Sequence, residues 1–367
     1  MVANRDTHTI VLDVMGADRG PEPIIMGGVE AARKLGDSVC VILVGNQGII
    51  ENILAGVENC PGNIEVLAAE SEIPMHISAT DGVRMRDSSV AVGLKALKRK
   101  QAVAFVSPGN TGAVMATSLL TLGRIKGVAR PAITTMFPTS AGKPCVVLDA
   151  GANADCKPLH LSQFAVMGAV YSSVVFSLDA PRVGLISIGE ERSKGNELVF
   201  STSRLLHDSH INFVGNIEGR DILSGTVDVA VTDGFTGNIL LKFAESIQPL
   251  MVRAIQRQIQ TNIFSRFGVM LLLPFLKRMK STFDYAESGG APLLGVNGIV
   301  IICHGSSNSR AIANAVQVAH GMAEKRINKR IHDELITNHF GKNNESGNKS
   351  PDHRDGVVCP ASSDDQR

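Results

Sequence analysis

What most constrains this chain is an alternation. From about residue 9 to residue 331, short unbroken apolar runs take turns with longer segments of helical periodicity. The runs are Thr9–Asp13, Val39–Val44, Ile64–Ala68, Val103–Ser107, Ile133–Phe137, Cys145–Asp149, Val183–Ile188, Ile211–Val214, Val227–Thr232 and Ile299–Cys303. Most are continuous, as strands covered on both faces should be. Helical patterns lie between them, among them Glu22–Leu35, Val83–Arg99, Ala113–Leu122, Leu161–Ser177 and Ser309–Ile331. The alternation predicts an α/β fold with a mostly parallel sheet and flanking helices. No internal repeat at a fixed period is visible.

The length, 367 residues, suits one large or two medium domains. A formal net charge of +1 argues against a polyanion such as nucleic acid as partner of the whole molecule. Any charge-driven partner must engage a local patch. Arg5, Asp6 and His8 precede a short apolar run that Asp13 interrupts, which is unlike a signal peptide. No stretch reaches the ~20 apolar residues of a spanning helix. The cysteines (Cys40, Cys60, Cys145, Cys156, Cys303, Cys359) have no C-x-x-C pairing and no His at zinc-finger spacing. They read as reduced cytosolic thiols, with no metal. Residues 341–367 are polar, rich in Gly, Asn, Ser and Asp, and are expected to be disordered.

The chemistry should sit where strands end, because parallel sheets bind ligands outside their carboxyl edges. Five such ends carry small and polar residues. They are Asp13-Val-Met-Gly-Ala-Asp-Arg-Gly-Pro21, Ser107-Pro-Gly-Asn-Thr-Gly-Ala113, Asp149-Ala-Gly-Ala-Asn153, Gly189-Glu-Glu-Arg-Ser-Lys-Gly-Asn-Glu197 and Asp233-Gly-Phe-Thr-Gly-Asn238, the last running on to Lys242. Glycine lets backbone amides approach a ligand, and helix N-termini attract anions. Lys194 and Lys242 can supply positive charge to a phosphate. Each turn alone also reads as a plain strand-to-helix connection with its cap. Five at successive strand ends point to a shared cleft, provided the strands are neighbours.

Named nucleotide and hydrolase motifs are missing. There is no G-x-x-x-x-G-K-[ST], no G-x-G-x-x-G at the first turn, no G-x-S-x-G and no H-E-x-x-H. His304-Gly-Ser-Ser307 invites a Ser/His pairing, but a strand-to-helix cap at Ser306 is the better reading. The pattern suits a site that holds and orients an anion without a protein nucleophile. Direct attack by bound phosphate on an activated carbonyl fits it, with the protein supplying position and oxyanion stabilisation.

At these motifs the sequence resembles the PlsX family, the acyl-carrier-protein:phosphate acyltransferases. The resemblance runs from about Thr9 to Ile331. It rests on Asp13-Val-Met-Gly16, Gly109-Asn-Thr-Gly-Ala113, Asp149-Ala-Gly-Ala-Asn153, Gly189-Glu-Glu191, Lys194-Gly-Asn-Glu197, Gly215-Asn-Ile-Glu-Gly-Arg-Asp221, Asp233-Gly-Phe-Thr-Gly-Asn238, Gly289-Gly-Ala-Pro-Leu-Leu-Gly295 and His304-Gly-Ser-Ser307, in that order. Ala17 stands where many members carry a second glycine. The resemblance implies one domain over 1–335, Rossmann-like, akin to isopropylmalate dehydrogenase and phosphotransacetylase. It implies reversible transfer of a long-chain acyl group from acyl carrier protein to inorganic phosphate. The acyl phosphate would feed a glycerol-3-phosphate acyltransferase and so phospholipid synthesis. It also implies a homodimer and no cofactor.

Placed on this sequence, the catalytic candidates are Lys194, Lys242, Asp233 and Asn238. The substrate-binding candidates are Asp13, Gly16, Asn110, Thr111, Gly112, Asn153, Glu190, Asn196, Glu218, Thr236 and His304. The lysines would bind phosphate or the oxyanion, and the Asn and Thr side chains would donate hydrogen bonds. Asp233 and Glu218 are either proton-handling carboxylates or helix caps.

One segment stands apart. Residues 246–283 contain an apolar stripe and the run Phe267-Gly-Val-Met-Leu-Leu-Leu-Pro-Phe-Leu276, flanked by basic residues. This reads as a protruding amphipathic helix pair, whose Phe267, Leu271, Leu272, Leu273, Phe275, Lys277 and Arg278 would rest on an anionic membrane. A dimer-interface hairpin fits the same composition. Arg253, Arg257, Lys277 and Arg278 could equally meet the acidic carrier protein. The expected location is cytoplasmic, peripheral to the inner membrane face. The rivals are a short-chain phosphotransacetylase using acyl-CoA, a dehydrogenase of the isopropylmalate type, and a membrane-bound scaffold.

Overall fold

The computed structural model describes residues 7–260 and 289–338. The run Phe267–Leu276, every proposed membrane contact and the polar tail lie outside the described residues.

One sheet carries eleven strands among the described residues. In chain order these are β1 (His8–Asp13), β2 (Val39–Gly45), β3 (Ile64–Ala68), β4 (Ala104–Ser107), β5 (Ala132–Phe137), β6 (Cys145–Leu148), β7 (Val183–Ile186), β8 (Phe213–Ile217), β9 (Val229–Val231), β10 (Ala291–Leu294) and β11 (Ile299–Ile302). The helices are α1 (Glu22–Leu35), α2 (Gln47–Ala55), α3 (Ala79–Arg84), α4 (Ser89–Lys98), α5 (Thr111–Leu122), α6 (Pro158–Phe176), α7 (Glu197–His207), α8 (Gly219–Ser224), α9 (Gly234–Gln260), α10 (Ser309–Glu324) and α11 (Ile327–Thr337). The α/β class and the mostly parallel sheet are as the sequence predicts.

The spatial order is β3-β2-β1-β4-β11-β10-β5-β6-β9-β7-β8. The first five strands are mutually parallel, and so are the last four. Between them β10 is antiparallel to β11 and β5, and β5 is antiparallel to β6. The two parallel halves therefore run in opposite directions, with β5 and β10 between them, and the link from the first half to β5 is β10. It is the strand the apolar-run reading omits. Ala291-Pro-Leu-Leu294 is short and holds a proline, which demotes a run in sequence terms.

Two predicted helices are each broken in two. Val83–Arg99 divides because Ser88 takes an extended backbone and its side chain accepts the Ala91 N–H, starting α4 afresh. Ser309–Ile331 divides at Arg326, whose left-handed φ of 50° turns the chain so that Ile327, Ile331 and Leu335 of α11 can be buried.

The core lies on both faces of the sheet. On one face α1, α6, α10 and α11 bury Ile24, Phe164, Tyr171, Ile312 and Ile331 against Ile10, Leu12, Leu148 and Val231. On the other, α4 and α5 bury Leu94 and Val114 against Val11, Phe105 and Val300. Continuous burial of β4, β6, β10 and β11 explains their unbroken apolar sequences. Among the described residues, one helix, Pro158–Phe176, is long and apolar enough to cross a membrane. Here it is a core helix, with Leu161, Phe164, Met167 and Tyr171 buried.

His320 of α10 is buried against His8 of β1, Nδ1 to Nδ1 at 3.1 Å. Burial, helped by His8, lowers its pKa below the usual 6.5 despite Glu324. The folded state therefore binds fewer protons than the unfolded state, and stability falls as pH drops below 6.5 toward the lowered folded value. The melting temperature is expected to fall as the pH drops below 6.5, and to fall less in His320→Gln. Equal slopes in thermal melts of the two proteins would remove His320 as the cause.

Candidate active site

The polar turns do not ring one sheet edge. They fall into two sets, because the strands that carry them belong to the two opposed halves.

The first set lies beyond β1, β4 and β11. Asp13, fully buried at the end of β1, accepts the Ser107 hydroxyl at 2.7 Å and the Met15 N–H at 3.1 Å. Ser107 Oγ in turn accepts the Gly109 N–H at 3.1 Å. Asp18 N–H donates to Gly305 O at 2.8 Å, which brings in the turn after β11. A side chain on Gly16 would come within 2.6 Å of the Gly109 Cα, so two backbones touch here. Burial pushes the Asp13 carboxyl up from its ordinary value, and the Ser107 hydroxyl opposes this.

The second set lies beyond β6, β9, β7 and β8, and Asp149 is its centre. One Asp149 oxygen accepts the N–H groups of Ile133, Gly151 and Ala152 at 2.9, 3.3 and 3.0 Å. The other accepts Asn153 N at 2.7 Å and Asn153 Nδ2 at 2.9 Å. The start of α9 packs directly on this turn. Gly234 N donates to Asn153 O at 2.8 Å, and a side chain on Gly237 would lie 1.9 Å from Asp149 O. Asn238 then stands over Gly151, and its side-chain amide has no hydrogen-bond partner among the described residues. Burial pushes the Asp149 carboxyl up, against the pull of its N–H donors.

The turn after β7 joins this set through β8. Asn216 Nδ2 donates to the carbonyls of Glu191 and Lys194, both at 3.1 Å. The Lys194 stem lies over Gly189, where a Cβ would stand 2.9 Å from its Cγ. Its ammonium is exposed and meets no carboxylate among the described residues. Arg220 binds Glu190 at 2.9 Å and Glu218 at 3.4 Å.

Between the two sets lie β5 and the short β10. The β11 turn adjoins the first residue of β10, since Ala291 pairs with Ile302. The Asp149 turn adjoins its far end, since Leu293 pairs with Ile133. Four strand residues span about 10 Å between their end Cα atoms. Ala150, Ala152 and Leu241 of the second set share one apolar cluster with Ala113, Val114 and Met115 of α5. The two sets therefore approach each other on the α5 face, beside the start of α9, and the space between them is the candidate cleft.

Several candidates turn out to hold structure. Asn110 caps α5 through Ala113 N and donates to the Met75 and Ile77 carbonyls, using its whole side chain. Asn153 is spent on Asp149 and the Pro131 carbonyl. Asp233 caps α9, taking Thr236 N at 2.7 Å and Thr236 Oγ1 at 3.2 Å. Glu218 caps α8, and Asn196 caps α7 through Val199 N. For Asp233 the geometry displays the helix cap; Glu218 occupies the cap position of α8, where its N–H donates to Asp221 Oδ2 at 2.8 Å and its carboxylate lies 3.4 Å from Arg220. Lys242 is paired with Glu245 at 2.8 Å. Thr111 and Gly112 open α5 at the cleft.

The cap reading of Ser306 is corrected. Asn308 caps α10, and Ser306 Oγ lies 2.8 Å from His304 Nδ1 in an exposed turn. The sequence marks the turn Asp149–Asn153 but not Asp149 as its centre. Nothing local announces that it collects an N–H from Ile133, which neighbours it only through the antiparallel pairing of β5 and β6.

The thiols close to these turns are inert. Burial, with the negative charge of Asp149, pushes Cys156 up to about 11, and burial pushes Cys303 up to about 12. Neither supplies a thiolate at neutral pH.

A family model described as "Fatty acid synthesis protein" matches residues 8–330. A phosphate acyltransferase of Geobacter sp. (strain M21) is 46% identical over 346 residues, covering 94% of this chain and 97% of the relative. One from Nostoc sp. (strain PCC 7120) is 46% identical over 325 residues, covering 88% and 94%. A phosphotransacetylase from Streptococcus pyogenes has a similar structure (TM-score 0.59, 17% identity, 88% of this chain and 95% of that one). So does a branched-chain phosphotransacylase from Enterococcus faecalis (0.55, 14%, 86% and 99%). At these identities the structural likeness speaks for the fold, while the sequence matches run nearly end to end. The chain belongs to the PlsX family of phosphate acyltransferases.

Proposed function

We propose that this acyltransferase moves a long-chain acyl group from an acyl-carrier-protein thioester to inorganic phosphate. The observation that carries the reading is how the polar groups of the cleft are spent. Asp13, Asp149, Asp233, Glu190 and Glu218 are all engaged by N–H, O–H or guanidinium donors, while the Lys194 ammonium and the Asn238 amide have no partner among the described residues. Such a site offers donors and positive charge to an anion, and its two buried carboxylates, Asp13 and Asp149, are spent on protein donors rather than free to act as base. Phosphate needs none, since as HPO₄²⁻ it is itself the nucleophile.

In this mechanism a phosphate oxygen attacks the thioester carbonyl. A C–O bond forms and the carbonyl electrons move onto oxygen. The tetrahedral oxyanion collapses, the C–S bond breaks, and the thiolate takes the proton the phosphate carried. Lys194 and Asn238 are assigned to the phosphate and the developing oxyanion. The reaction is reversible, and the acyl phosphate is a donor for glycerol-3-phosphate acylation in phospholipid synthesis. The enzyme is further proposed to work as a homodimer in the cytoplasm, on the inner membrane face, with residues 246–283 on anionic lipid.

The Ser306 Oγ to His304 Nδ1 distance favours a second route through an acyl-serine. The same ring nitrogen also accepts the Ser306 N–H at 3.2 Å, so the pair is part of one tight turn. Direct attack is preferred on that ground. The test is hydroxylamine trapping of acyl phosphate from acyl-ACP plus phosphate, with acyl-CoA in parallel. Phosphate-dependent acyl hydroxamate is expected with acyl-ACP. No phosphate-dependent product with either donor sinks the reading, and enzyme-dependent hydroxamate formed without phosphate, above the thioester's own reaction with hydroxylamine, would favour the acyl-serine.

A further inference from the structure

Beside the second set of turns lies a basic surface that no role above uses. It is made by the loop before β5, with Arg124, Lys126 and Arg130, and by Lys157 at the start of α6. Buried Gln163 of α6 holds that loop in place, accepting the Ala129 N–H and donating to the Gly127 carbonyl, each at 2.8 Å. The two stretches, 123–131 and 154–160, carry these four cations against one acid, Asp155. None of the four has an ion-pair partner among the described residues.

The surface is tied to the cleft. Pro131, next to Arg130, gives its carbonyl to Asn153 Nδ2 at 2.7 Å, and Asn153 is held by Asp149. Cys156, next to Lys157, senses Asp149, Asp233 and Arg130 together. Arg130 directly precedes the Pro131 that binds this turn, and Lys157 lies four residues after Asn153. His160 completes the patch. The Lys157 N–H donates to its Nδ1 at 3.2 Å, which leaves the ring proton on Nε2. Burial first, then Arg130 and Lys157, hold its pKa below 6.5.

We infer that Arg130 and Lys157, with Arg124 and Lys126 at their edge, form the surface on which an acidic acyl carrier protein docks to deliver its thioester to the cleft. This rests on the functional reading above. A small anion would want buried, convergent donors. These cations are exposed on two loops without counter-charges, which suits steering and register with a broad acidic face. Arg253 and Arg257 on α9 lie past Pro249, well along the helix from Asn238.

The experiment compares wild type, Arg130→Glu/Lys157→Glu and Arg130→Lys at two salt concentrations. The donors are acyl-ACP and acyl-pantetheine, which lacks the protein. Expected is a rise of about tenfold or more in KM for acyl-ACP at low salt in the double variant, with kcat and the KM for phosphate held within about threefold. Turnover of acyl-pantetheine should be unchanged, and Arg130→Lys should behave as wild type. The wild-type KM for acyl-ACP should climb with salt while that of the double variant stays flat. Arg130→Ala/Lys157→Ala, tested alongside, should show a smaller rise in the same direction. An unchanged KM for acyl-ACP in both double variants overturns the docking surface alone. An equal loss with acyl-pantetheine does the same, because the effect would then lie in the cleft. Wild type that makes no acyl phosphate from acyl-ACP overturns the functional reading itself.

Discussion

Lys194→Ala is expected to lower kcat roughly 100- to 1,000-fold, the usual cost of removing one donor to a developing oxyanion. The fold should survive, because the Lys194 side chain is exposed and its loop is held by backbone groups. Its N–H donates to Glu191 O at 3.0 Å, and its carbonyl accepts Asn216 Nδ2 and the Ser187 hydroxyl. Lys242→Ala is expected to cost less than about tenfold, because the Lys242 ammonium is already paired with Glu245. The comparison separates two lysines that look equivalent in sequence. Steady-state hydroxamate assays over both substrates, with thermal melts as a fold control, read it directly. Lys194→Ala within about threefold of wild type would take this residue out of the chemistry.

Asp149→Ala is expected to be the most damaging change to stability, at about 4 kcal/mol, or about 6 °C in melting temperature. Five N–H donors lose their acceptor at once, and each unsatisfied buried donor carries a desolvation cost. Water cannot replace the carboxylate easily, since Asp149 is fully buried and the start of α9 closes over it. Asp149→Asn should recover about half of the loss, because one oxygen remains for three donors while the new NH₂ faces the other two. Urea or thermal unfolding of the three proteins tests this order. An alanine variant as stable as wild type would mean that the carboxylate only decorates the turn. Activity should fall with stability in both variants, since Asn238 is positioned by packing against Gly151.

Much of this architecture was legible in the chain. Strand residues buried on both faces must be apolar without a break, and β4, β6 and β11 show that plainly. Asn110, Asn196 and Asp233 sit one residue before their helices because a side-chain oxygen there satisfies an orphan N–H, and that pattern is local. The helix break at Ser88 obeys the same rule, but the apolar period of α3 and α4 runs through it and hides it. β10 was hidden differently, because it has little length, a proline, and meaning only as the antiparallel joint between β11 and β5.

By itself, then, the sequence determined the elements, the glycine-rich turns at their ends and the family. Each of these depends on residues close together in the chain. Only the tertiary structure decided which turns meet. Strand order rests on pairings far apart in sequence, and it divided five similar turns between two opposed half-sheets with β10 and β5 between them. It also decided which polar groups are spent. Asn110, Asn153, Asp233 and Lys194 all look available in sequence, yet three of them bind the protein itself. The Lys194 ammonium is left for an anion because the fold brings no carboxylate to it among the described residues.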